Sequence, residues 1–161
     1  MAKPPVAKPR RSRTRAAEVP PVPHPFANQP TANPDRGEHE LTLAGVTYRL
    51  RPSHAAMKAI EQKTDRSLLA LLRMASVGDL TLDQTGEIAA ELIRAGAGEG
   101  DIMTRNVGAK RIGELIYEQG LPGVMARLTL CLADAASGGR DAEGNAKAAP
   151  TMTTGGDAGA A

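Results

Sequence analysis

Among residue types that commonly carry catalysis or bind metals, this 161-residue chain holds three histidines and a single cysteine. His24 lies in a proline-rich leader, while His39 and His54 flank a stretch of alternating apolar and polar residues. No cysteine and no HxxxH pattern accompanies them, whereas a zinc site gathers three or four protein ligands. They therefore read as solvated surface histidines. Cys131 falls between Leu128 and Leu132 on one helical face, where a free cysteine packs as a small apolar residue. No neighbour in sequence would draw its thiol toward the thiolate a nucleophile requires. The run Gly96, Ala97, Gly98, Glu99 and Gly100 has the glycines of a phosphate loop. It lacks the lysine and hydroxyl residue that complete the cradle, and it follows a helical pattern instead of a strand. It reads as a flexible connector. With the acidic residues scattered over helical faces, no catalytic constellation and no cofactor is expected.

Charge is distributed unevenly. Residues 1–37 carry Lys3, Lys8, Arg10, Arg11, Arg13, Arg15 and Arg36 against Glu18 and Asp35. The body at 38–137 has a small acidic excess, as does the tail at 138–161. The formal net charge of +2 therefore conceals a basic arm joined to a mildly acidic body. Nine of the prolines fall in the arm, where each removes a backbone donor and hinders helix formation. With little to bury, the arm is expected to be disordered, and so is the Gly/Ala/Thr-rich tail. About 100 residues remain to fold, enough for one modest core.

Lys3, Lys8, Arg10, Arg11, Arg13 and Arg15 can meet phosphates by counterion release. No aromatic residue is interleaved for base stacking, so nucleic-acid binding through residues 3–15 would be weak. A solubilising or weakly docking leader is the preferred reading. No apolar run approaches the ~20 residues of a membrane helix, so no membrane partner is expected. The basic N-terminus lacks a following apolar h-region and does not read as a secretory signal. One cysteine permits no intrachain disulfide, which suits a reducing cytoplasm.

The elements that would position these residues follow from periodicity. Leu41 and Leu43 alternate with Glu40 and Thr42, and after Ala44 and Gly45, Val46, Tyr48 and Leu50 alternate with Thr47, Arg49 and Arg51. Period-two alternation on both sides of a glycine-containing turn predicts a β-hairpin. Pro52 ends it, and Ser53 can cap a helix bearing Ala56, Met57, Ala59 and Ile60. Ser67 can cap a second helix through Val77, closed by Gly78. That helix has Arg73 as its one charge and is apolar nearly all round, so it is either the central helix of the domain or a face offered to a partner. Thr81 and Gln84 have capping-box spacing ahead of Ile88, Leu92 and Ala95. A helix from about Thr104 to Gln119 and a last one opened by Pro122 complete the pattern. The fold class is α+β, mostly helical: an N-terminal hairpin followed by about five short helices.

The stretch 36–53, RGEHELTLAGVTYRLRPS, with Ile60 and Glu61 in the helix after it, resembles the opening of the gene transfer agent family of tail proteins, grouped with phage tail assembly chaperones. The segment 116–122, IYEQGLP, and the closing apolar helix are similar to the same family. The resemblance spans roughly residues 36–139 and does not include the basic arm. It implies a non-enzymatic chaperone that binds the tape measure protein during tail morphogenesis in the cytoplasm of a bacterial host. Leu68, Leu69, Leu71, Leu72 and Met74 are the candidate partner-binding residues, with the core as their competing use. Two alternatives stay open. One is a structural subunit of the tail tube, self-associating and retained in the particle. The other is a nucleic-acid-binding protein acting through the arm.

Overall fold

The computed structural model describes residues 30–138. The expected disorder of the arm and tail falls almost entirely outside these residues. Two strands, β1 (His39–Leu43) and β2 (Val46–Leu50), form an antiparallel hairpin. Six helices follow: α1 (His54–Thr64), α2 (Leu68–Val77), α3 (Leu82–Gly96), α4 (Ile102–Arg105), α5 (Ala109–Gln119) and α6 (Leu121–Ala136). The fold is α+β and mostly helical.

The hairpin forms because Ala44 and Gly45 both take positive φ, 48° and 78°. That is a two-residue turn whose twist matches the strands. Leu43 then pairs with Val46 and Leu41 with Tyr48. One face of the hairpin, Leu41, Leu43, Tyr48 and Leu50, is buried, and the other carries Glu40, Thr42 and Thr47.

Local capping sets the helix starts. The Ser53 and Ser67 side chains accept from Ala56 N and Ala70 N. Thr81 and Gln84 complete a reciprocal capping box. The sequence expectation of one helix from about Thr104 to Gln119 is corrected: the chain breaks at 106–108 into α4 and α5. The Arg94 guanidinium on α3 takes the Val107 carbonyl through Nε at 2.9 Å and Nη2 at 2.6 Å. This holds that carbonyl out of a helical ladder, and Gly108 is extended as the cap of α5. Residues 30–37, placed with the arm by composition, include a 3-10 turn over Pro34–Arg36 capped by Asn33.

The central helix is α3, not α2. Ile88, Ala89, Ala90, Leu92 and Ile93 are all fully buried. Its small residues let neighbours approach: a Cβ at Gly86 would lie 2.9 Å from Ala109 O and 3.2 Å from Gly113 Cα on α5. At its other end a Cβ at Gly96 would lie 1.8 Å from Arg49 O of β2. The hairpin thus lies against the C-terminal turn of α3, and Arg51 N donates to Leu92 O at 3.1 Å.

Gly96→Ala should therefore destabilise the protein by at least ~2 kcal/mol, since a rigid backbone cannot give way as a side chain would. Urea denaturation would show a clear fall in the midpoint; an unchanged midpoint would contradict the close contact of α3 with β2.

Candidate partner-binding surface

Helix α2 starts where Leu68 N is taken by Glu61 Oε1 at 2.7 Å and ends at Gly78, whose φ of 75° allows the closing turn to Ala75 O. Asp79 N also reaches back to Met74 O at 2.8 Å. Its main packing partner is α6. Only Leu71 and Ala75 are buried in that contact. Leu68, Leu72 and Met74 are half-buried against the core. Leu69 and Val77 are 59% and 78% exposed. Leu69, Arg73 and Val77 follow one another at i, i+4 and i+8, so they share one outer stripe.

The five leucine and methionine candidates thus divide. Leu71 is core. Leu68, Leu72 and Met74 serve partly as core, and Leu69 faces solvent. Val77 belongs to the exposed stripe but was missed in the sequence, where it served only to mark the helix end. Leu130, on the helix that α2 packs against, is 47% exposed. The arm candidates Lys3, Lys8, Arg10, Arg11, Arg13 and Arg15 lie outside the described residues.

A second constellation joins the hairpin to the helices. Glu38 is only 3% exposed. Its Oε2 accepts from Asn33 N at 3.0 Å and lies 3.6 Å from Arg49 Nη1, and its Oε1 lies 3.6 Å from Arg51 Nε. Arg49 Nε donates to Gly96 O at 2.9 Å, placing a cation at the C-terminal end of α3, where the helix dipole favours one. His39 Nε2 lies 2.8 Å from Asp134 Oδ2 on α6. An ionised carboxylate only accepts, so the imidazole N–H donates. The reading of His39 as a solvated surface histidine is corrected: it is a partly buried link from β1 to α6. His54 is exposed as the first residue of α1.

Cys131 is buried on α6, with its thiol 4.0 Å from Gly37 O. Burial pushes its pKa far above the ordinary thiol range, and the nearby Asp134 and Glu38 charges push it in the same direction. The thiol remains protonated, which suits packing and opposes nucleophilic chemistry. Burial likewise raises the Tyr48 phenol above its usual value, with the Arg111 charge opposing and Asp101 adding to the shift. Lys63 of α1 is held in its charged form chiefly by the Glu91 carboxylate of α3, 2.7 Å away. Among the described residues no group of three or more His, Cys, Asp or Glu is placed to hold a metal ion. No helix among them is long and apolar enough to cross a membrane.

No family model, curated protein or solved structure matches the chain.

With Cys131 buried and its thiol held protonated, a thiol reagent such as 5,5′-dithiobis(2-nitrobenzoate) should leave the native protein unmodified at pH 8 and label one thiol in 6 M guanidinium chloride. Rapid labelling without denaturant would contradict the burial of Cys131.

Proposed function

We propose that this chain is a non-enzymatic protein-binding module of phage-like tail assembly, a chaperone that takes a helical segment of the tape measure protein along α2 in the bacterial cytoplasm. The observation that carries this reading is the incomplete burial of an almost wholly apolar helix. In a domain whose core is served by α3, the Leu69 and Val77 side chains stay in water. An amphipathic helix of a partner would cover them with i, i+3, i+4 anchors. Complete burial of an aliphatic side chain contributes roughly 1.5–3 kcal/mol. The hairpin motif in residues 36–53 supplies the tail-assembly context by its resemblance. A tube subunit needs a continuous ring of sheet, and the described residues supply a single two-stranded hairpin. That supports the chaperone reading over the structural one.

Co-purification with the tape measure protein tests it. The double variant Leu69→Lys, Val77→Lys should lose at least about tenfold in affinity while unfolding at the wild-type temperature, because neither side chain is buried in the free protein. Leu71→Ala should instead lower stability by ~2–5 kcal/mol. A double variant that captures its partner as well as wild type would overturn the assignment of α2 as the docking face.

A further inference from the structure

The two edges of the hairpin are treated differently by the rest of the fold. The two-residue turn makes Leu43 and Val46 a hydrogen-bonded pair. Alternation then turns the backbone groups of residues 38, 40, 42 and 44 away from β2. Two of these amides have partners: Glu38 N donates to Asn33 O at 3.1 Å, and Ala44 N to Gln119 Oε1 at 3.4 Å. Between them, the amides of Glu40 and Thr42 have no hydrogen-bond partner among the described residues. On the far side of the hairpin, Arg51 N is bonded to Leu92 O and the C-terminal turn of α3 abuts β2. The C-terminal end of the β2 edge is thus covered by α3, whereas the β1 edge is open over two residues.

The open edge faces a groove of about 420 Å³. Glu40, Leu41 and Thr42 form one wall, and the α5–α6 corner with Arg127 forms the other. The corner is built from small residues at the points that matter. A Cβ at Gly120 or Gly123 would meet nothing within 4 Å. The exposed Glu40 carboxylate has no cationic partner among the described residues.

We propose that the β1 edge is a docking site for an extended segment of a partner protein, which adds a third strand through the backbone groups of Glu40 and Thr42. Strand addition uses the main chain for affinity and alternate side chains for selection. A residue opposite Glu40 shares its outward face, so a lysine or arginine there completes the pair. The residue opposite Leu41 points toward the groove and Val124, so it is apolar. A second copy fits poorly. Pairing β1 with β1 would bring Glu40 no lysine or arginine, since His39–Leu43 contains neither. This inference rests on the hairpin and the α5–α6 corner alone and stands independently of α2.

The test is amide hydrogen exchange by NMR on the full chain, with the probe acetyl-Thr-Val-Lys-Val-Thr-amide. Glu40 and Thr42 amides should exchange as unpaired amides in the free protein and slow at least tenfold at saturating probe. Gly123→Leu, which fills the groove from an open position, should abolish that protection while keeping the fold. Glu40→Lys should reverse the preference, favouring the probe with glutamate in place of lysine. Unchanged exchange at millimolar probe would overturn the proposal. So would Glu40 and Thr42 amides already protected in the monomer, which would mean the chain covers its own edge. Protection that grows with protein concentration alone would overturn it in favour of a second copy.

Discussion

Glu38 and His39 enter the fold side by side where β1 begins, and both have to leave water for the hairpin to seat on the helices. An isolated carboxylate in that position would cost several kcal/mol, so burial is tolerable only with partners in place. The four partners come from three directions. Asn33 N comes from the residues before the strand, and Arg49 and Arg51 come from β2 and its end. Arg49 passes the connection on to the last turn of α3 through Gly96 O, and His39 reaches Asp134 on α6. Two adjacent residues thereby tie together the preceding 3-10 turn, the hairpin, the central helix and the last helix. Truncating any one partner would leave the buried carboxylate less well compensated, so the cluster favours a single seating of the sheet.

That seating determines what remains available. With β2 against α3, the fold spends its central helix on the hairpin, α1 and α5, and α2 is left with α6 as its chief neighbour. The same geometry covers the C-terminal end of the β2 edge with α3 and leaves the β1 edge open beside the α5–α6 corner. The exposed stripe of α2 and the open strand edge are both consequences of where the hairpin sits. The first suits a helical partner and the second an extended one.

The sequence revealed whatever is encoded within a few residues. Alternation around Ala44 and Gly45 gave the hairpin, and Ser53, Ser67 and the Thr81–Gln84 box marked the helix starts, because a cap and its target amide are three residues apart. Long-range chemistry was hidden. Nothing local couples His39 to Asp134 across 95 residues, or lets Arg94 reach the Val107 carbonyl and split the helix expected there. The position of α2 was equally hidden, because an all-apolar sequence shows no preferred face: Leu71 and Leu69 read alike, yet only Leu71 is covered. The smallness of α3, with Gly86, Ala89 and Ala90, is the sequence signal that would have marked it, rather than α2, as the central element.

The most direct test of this account is a double-mutant cycle on the link between strand and last helix, using His39→Phe, Asp134→Leu and their combination, read by urea denaturation. Each single variant removes one side of the His39–Asp134 contact and should destabilise the protein, whereas the double variant removes both sides. The account predicts a coupling of at least ~1 kcal/mol, with the double variant more stable than the sum of the singles implies. Additivity within ~0.3 kcal/mol would show that the two residues do not act together, and would contradict the claim that this link seats the hairpin.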